Sequence, residues 1–209
     1  MDLSSPIRSV IPSVQGAVLA VLARSDVPLS GRRTAELTGG RAGQARVNQV
    51  LQELTASGVV LREEHPPAYL YRLNREHLAA AAIVALADLR EHLLSRIRDT
   101  VERWEQPAIA VWLFGSAARG NGGPDSDIDL LVLRPDQVDE DDPSWLRQVD
   151  DLATQVTTWT GNRCEILEYS AEEFDGLVAA GERLASDLRT ESVRIFGDTV
   201  GRRLRRRVS

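Results

Sequence analysis

The chain has 209 residues, 43% of them hydrophobic and 27% charged, with a formal net charge of −6. That composition fits one large or two small globular domains, and no apolar run approaches the roughly 18 residues of a membrane span. Cys164 is the single cysteine, which excludes an intramolecular disulfide and a cysteine metal cluster and fits a reducing cytoplasm. The first thirteen residues lack the basic stretch and apolar core of a signal peptide.

The charge is unevenly spread. Residues 1–78 carry nine Arg against seven acidic residues, acid gathers between Asp125 and Asp151, and residues 201–209 form an arginine-rich tail. Every basic residue is Arg and none is Lys. With so much alanine, that reads as the codon bias of a GC-rich genome rather than as selection for guanidinium chemistry.

In chain order, Val14 to Ala23 is apolar at helical spacing. Ser30 can cap a second helix that ends at Gly39-Gly40. A third helix covers about Ala42 to Ala56, where Val47, Val50, Leu51 and Leu54 form one stripe. Val59 to Arg62 and Tyr69 to Leu73 read as two strands around Pro66-Pro67, which cannot donate ladder hydrogen bonds. Asn74 can cap a long helix over about Arg75 to Glu105, striped by Leu78, Ala82, Leu86, Leu89, Leu93, Ile97, Val101 and Trp104. This helix reads as a connector between domains, with a dimer seam (hence a homodimer) as the competing idea.

After Pro107 the pattern alternates. Ile109 to Phe114 and Asp127 to Leu133 are apolar strands, Pro143 to Thr160 is an amphipathic helix, and Arg163 to Glu168 is a third strand. A helix from about Ala171, a polar turn and a short strand at Val193 to Phe196 follow. Interleaved strands and helices predict an α/β layer domain.

The chemistry concentrates between these first two strands. A buried strand ends in Gly115-Ser116. Glycine admits close approach of a ligand to the backbone, and a hydroxyl beside free N–H groups suits a phosphate. Ten residues later come Asp127 and Asp129, spaced i, i+2, which on a strand puts both carboxylates on one face. Taken singly, Gly-Ser is an ordinary turn and Asp-x-Asp an ordinary solvated edge. Here the intervening and following residues are apolar, and two unpaired carboxylates on a buried strand are costly. A divalent cation removes the conflict, and oxygen-only ligands suit Mg²⁺.

Gly115-Ser116, Arg119-Gly120 and Ser126-Asp127-Ile128-Asp129 together resemble the signature of the DNA polymerase β nucleotidyltransferase superfamily, and its small bacterial members, the minimal nucleotidyltransferases, in particular. The resemblance implies Mg²⁺ and an NTP cosubstrate. It implies that Gly115 and Ser116 hold the triphosphate, with Arg119 a candidate for the same task, and that Asp127 and Asp129 hold metal. It also implies a third carboxylate on a neighbouring strand. Glu165 and Glu168 are the candidates, and they face opposite sides of their strand. Glu165 is preferred because Cys164 and Ile166 flank it on the other face, with Glu168 expected at the strand's end in solvent. Minimal nucleotidyltransferases often serve in toxin–antitoxin systems, with a partner protein or a tRNA end as acceptor.

The earlier segment resembles a winged helix-turn-helix, carried by Leu29-Ser30-Gly31, the Val47 to Leu54 stripe, Gly58-Val59-Val60 and the run from Tyr69 to Asn74. In such a fold the third helix reads DNA. Opposite its apolar stripe lie Arg41, Asn48, Gln49 and Gln52, residue types that recognise base edges, with Arg46 on the flank for phosphate. The expected organisation is a winged helix at 1–74, a connecting helix at 75–106, a nucleotidyltransferase domain of mixed sheet and flanking helices at 107–200, and the tail at 201–209. The expected activity is transfer of NMP from an NTP to a protein, nucleic-acid or small-molecule acceptor. The rival reading is a transcriptional regulator whose second domain senses nucleotide without turnover.

Overall fold

The computed structural model describes residues 1–40 and 42–198; Arg41 and the arginine-rich tail lie outside the described residues. It is a mixed α/β structure with two sheets. The chain divides into two compact units, one of Ser4–Arg90 with Asp2, the other from Glu91 onward with Met1 and Leu3.

The first unit opens with a 3₁₀ turn at Pro6–Ser9 and continues through α1 (Val14–Ala23), β1 (Leu29–Ser30), α2 (Gly31–Leu37), α3 (Gln44–Ala56), β2 (Val60–His65), β3 (Ala68–Leu73) and α4 (Ala80–Ala87). Ser30 Oγ accepts from Arg33 N at 3.2 Å, the cap its sequence position predicts. Val18 and Leu22 of α1 pack with Val47, Val50, Leu51 and Leu54 of α3, and Tyr71 and Leu73 of β3 close the same core. The hairpin β2–β3 is antiparallel, and β1 adds to its other edge, giving the order β1-β3-β2. The two-residue β1 is too short to leave a periodic signal in the sequence.

The continuous helix expected over 75–105 is instead two helices, α4 and α5 (Leu89–Val101), parted at Asp88. Residues 74–79 form a turn in which the His77 side chain takes the Ala79 N–H, a donor that a helix from Arg75 would use. Asn74 Oδ1 accepts from Glu76 N, and His77 Nδ1 accepts from Ala79 N. Leu78, expected on the apolar stripe, is therefore fully exposed. At the other end of α4, the Arg24 guanidinium donates to the Ala87 carbonyl, a group that an unbroken helix would use for itself.

The second unit comprises α5, β4 (Ala110–Phe114), α6 (Gly115–Arg119), β5 (Ile128–Arg134), α7 (Pro143–Thr160), β6 (Cys164–Ser170), α8 (Ala171–Ala179), α9 (Arg183–Glu191) and β7 (Val193–Gly197). The sheet order is β6-β5-β4-β7, with β5 and β6 parallel and the other pairs antiparallel. Helix α7 is the crossover that a parallel pair requires. It is cut to length at both ends: Asp142 Oδ1 accepts from Ser144 N and Trp145 N, and Gly161 ends it in the left-handed conformation.

Strand β5 is buried on both faces. Ile128, Leu130 and Val132 join Val111 and Leu113 against Ile97 of α5 and Trp145, Leu152 and Val156 of α7. Leu131 and Leu133 join Ala110 and Trp112 against Phe174 of α8 and Leu188 of α9. The polar turn expected between α8 and β7 is instead helix α9, whose residues are mostly polar or charged, yet Leu184, Ala185 and Leu188 fall on one face of it. Asp129 is the one residue of β5 that is not fully buried, and it lies near the end where β4 runs into α6.

Trp112 anchors the α8–α9 side. It has no exposed surface, its Nε1 donates to Asp198 O at 2.8 Å, and its ring centre lies 5.4 Å from that of Phe174. Trp112→Ala should lower unfolding stability by about 3–5 kcal/mol in urea titration. Leu78→Ala should change it by less than about 0.5 kcal/mol.

Candidate active site

Strand β4 passes into α6 through Gly115, whose φ is +68°. A side chain is strained at that angle, and there is also no room for one: a Cβ here would stand 2.1 Å from Asp129 Oδ2. The Asp129 carboxylate thus lies directly against the Gly-Ser backbone. The register explains the contact, since Phe114 pairs with Asp129 across β4 and β5.

On its other side Asp129 pairs with Glu165 across the parallel strands β5 and β6. Side chains paired in register share a sheet face, so these two carboxylates are neighbours. Cys164 and Ile166 turn the other way and pack toward the α5–α7 core. Asp127 is exposed and precedes β5 by one residue, so the sheet itself does not fix it.

Asp129 feels the other two acids. Partial burial pushes the Asp129 carboxyl above its usual range, and the charges of Asp127 and Glu165 push it further, while Arg119 draws it back. The same cluster acts on Cys164, whose thiol is pushed up to about 12 by burial and by Asp129 and Glu165. That thiol is a protonated packing group, not a nucleophile.

Arg119, at the end of α6, donates from Nη1 to Glu191 Oε2 at 2.7 Å, with both side chains well exposed. Glu165 is paired with the exposed Arg163 at 3.0 Å. Exposed pairs of this kind are worth little and separate readily when a stronger partner arrives. Glu168 is not a solvated strand end. It accepts from Arg134 Nε at 2.7 Å, and Arg134 is itself buried and also donates to Val138 O. Its register partner is Val132, away from Asp129, so it belongs to a structural ion pair.

Among the described residues, no group of three or more His, Cys, Asp or Glu is arranged to hold a metal ion. The donors fit an open site. Two or three carboxylates whose charges conflict, beside a backbone cleared of Cβ, leave coordination places for phosphate oxygens and water. Mg²⁺ is held in that way, by few protein carboxylates plus substrate phosphates.

In the other unit, the polar face of α3 is less uniform than its sequence suggests. Gln49 and Gln52 are exposed, and so is Arg46. Glu53 takes a hydrogen bond from Gln49 Nε2 at 3.0 Å and pairs with Arg46 Nη1 at 3.8 Å. Asn48 is half-buried against α2: a Cβ on Gly31 would lie 2.0 Å from Asn48 Oδ1. Asn48 therefore spaces two helices instead of facing outward with Gln49 and Gln52. Arg41 lies outside the described residues.

Two features of the site were hidden from sequence reasoning. One is the Arg134–Glu168 pair; the other is Asn162, a buried carboxamide beneath the loop that leads to Asp127. Neither belongs to a recognisable motif, because each is defined by partners more than 30 residues away.

Residues 94–180 match the family model described as a nucleotidyltransferase domain. The match runs from within α5 into the end of α8 and includes the Gly-Ser turn, Asp127, Asp129 and Glu165. It makes this stretch an enzyme's domain, of the nucleotidyl-transferring class. No curated protein matches the chain. Two similar solved structures are a toxin–antitoxin complex with AMP-PNP, 17% identical, and a mutant of the toxin–antitoxin MntA–HpeT, 16% identical. Each alignment covers 55% of this chain and 86% of the other, with a TM-score of 0.38.

The raised Asp129 carboxyl has a measurable consequence. A carboxyl whose folded value lies above its ordinary 3.8 costs stability once ionised. The cost is absent below the ordinary value and is complete above the raised one. In metal-free buffer Asp129→Asn should therefore melt higher than the wild type at about pH 7, and the difference should close as the pH falls below about 4. Equal melting temperatures across that range would show that the carboxylate is not strained.

Proposed function

We propose that this protein is a Mg²⁺-dependent nucleotidyltransferase that moves NMP from an NTP to an acceptor hydroxyl, and that its first unit is a winged helix-turn-helix that contacts DNA. The observation that carries the enzymatic reading is the Asp129 carboxylate, set against the Gly115 backbone on one side and register-paired with Glu165 on the other.

In this reading Gly115 and Ser116 hold the triphosphate. Asp127 and Asp129 hold Mg²⁺, with Glu165 as the third carboxylate. When bound, Mg²⁺ supplies positive charge that offsets the phosphates and lowers the acidity barrier of the acceptor hydroxyl. The acceptor oxygen forms a bond to the α-phosphorus, the bond from that phosphorus to the bridging oxygen breaks, and pyrophosphate leaves. In this reading Glu165, which is paired with the exposed Arg163, takes the acceptor's proton. Arg119 exchanges its Glu191 partner for the triphosphate charge.

The acceptor in this reading is a partner protein, a nucleic-acid end or a small molecule. A toxin–antitoxin pair, with the partner encoded by a neighbouring gene, is the setting that the resemblance to minimal nucleotidyltransferases implies. Support for the DNA-binding half comes from three helices followed by a hairpin, with Arg46, Gln49 and Gln52 exposed on the third helix.

Incubation with Mg²⁺, each labelled NTP and candidate acceptors should release pyrophosphate, and Asp127→Asn should reduce release to the level of an enzyme-free blank. Nucleotide binding without release under every condition would instead make the domain a sensor. In a gel shift, Gln52→Ala should weaken duplex binding by about 1–3 kcal/mol without changing nucleotide affinity. A wild-type protein that leaves duplex DNA unshifted would remove the DNA-reading half of the proposal.

A further inference from the structure

Asp127 poses a problem of position. It is exposed and lies outside β5, so side-chain packing does not aim its carboxylate. Its orientation depends on the two peptide planes that flank it, and both are held from the segment joining α7 to β6.

Asn162 is only 4% exposed. Its Nδ2 donates to Pro124 O at 3.0 Å and to Ser126 O at 2.8 Å. Two carbonyls on one side of the carboxamide require its NH₂ group there, which settles the orientation of the amide. Its Oδ1 accepts from the Met1 amine, and its backbone N–H donates to the buried Thr160 Oγ1 at 3.2 Å. Ser126 O belongs to the peptide that joins Ser126 to Asp127. The next peptide, from Asp127 to Ile128, is held by Ile128 N donating to Arg163 O at 2.8 Å. With both planes fixed, the direction of the Asp127 Cα–Cβ bond is fixed too.

The loop before Asp127 is built to be clamped in this way. Gly123 N donates to Ser126 Oγ at 2.9 Å and Ser126 N returns to Gly123 O at 3.2 Å, closing a turn whose second residue is Pro124. Gly122 lies against α6, where a Cβ would be 3.2 Å from Ala117 Cα. The turn is therefore a compact body with two outward carbonyls, and Asn162 binds both.

We infer that Asn162 is a positioning residue for the nucleotidyl-transfer site: its carboxamide, gripping Pro124 O and Ser126 O, sets the Asp127 carboxylate where it meets Asp129 and Glu165. This rests on the assignment of Asp127 as a metal-binding carboxylate. Asn162 touches no reacting atom and acts only through Asp127. Losing it should weaken the Mg²⁺-dependent part of nucleotide binding and leave the metal-independent part, which the Gly-Ser turn supplies.

The test is calorimetric titration of a non-hydrolysable ATP analogue, with Mg²⁺ and with EDTA, into four proteins: wild type, Asn162→Ala, Asp127→Asn and the double variant. Asn162→Asp, which keeps the shape and removes the donors, is run beside Asn162→Ala, and circular dichroism verifies the fold of each. The expected result is a loss of about tenfold or more in Mg²⁺-dependent affinity for both Asn162 variants. Affinity in EDTA should stay unchanged, and Asn162→Ala should cause no further loss in the Asp127→Asn background. An unchanged Mg²⁺ increment in a folded variant, or an equal loss with and without the Asp127 carboxylate, would overturn the inference while leaving the nucleotidyltransferase reading intact. A wild type with no Mg²⁺-dependent affinity would overturn both.

Discussion

Like charges held close on a partly dry surface are the constraint around which the second unit is organised. Asp129 is drawn into a sheet whose other positions are apolar, and it faces Glu165 on the next strand and Asp127 at its own strand's mouth. Left alone, the arrangement works against folding, because burial and two neighbouring anions all disfavour the charged form. In the proposed function a cation and a polyphosphate offset this charge. In that reading the strain of the unliganded site and its capacity for a cation have the same electrostatic cause.

The scaffold makes that conflict rigid. Strand β5 is clamped between α5 and α7 on one face and α8 and α9 on the other, so Asp129 cannot swing away without breaking two cores. The parallel register of β5 and β6 delivers Glu165, the antiparallel register of β4 delivers Gly115, and the left-handed glycine clears the space between strand and carboxylate. Only Asp127 stands outside this lattice, and the polar contacts of Asn162 and Arg163 do for it what packing does for Asp129.

Much of this was legible in the sequence because it depends on local chemistry. The strand cores, α1, α7 and the Ser30 cap follow from apolar spacing and turn residues, and the Gly-Ser and Asp-x-Asp spacing singles out the candidate site. What stayed hidden depends on partners distant along the chain or on competition between side chain and backbone. Apolar stripes alone continue from Leu78 to Trp104; the break comes from hydrogen bonds made by Asn74, His77 and Arg24. Strand parity separated Glu165 from Glu168, but only the fold brings Arg134 to Glu168. A helical wheel puts Asn48 beside Gln52, and only the close approach of Gly31 shows that it spaces two helices.

In the proposed function these carboxylates share one cation beside the Gly-Ser turn. Crystals grown with Mn²⁺ and a non-hydrolysable NTP, measured at the manganese absorption edge, test it most directly. The expected result is an anomalous peak bounded by Asp127, Asp129 and Glu165, with the triphosphate lying along Gly115 and Ser116. Nucleotide bound elsewhere, or manganese held by other groups while these three carboxylates bind none, would contradict it.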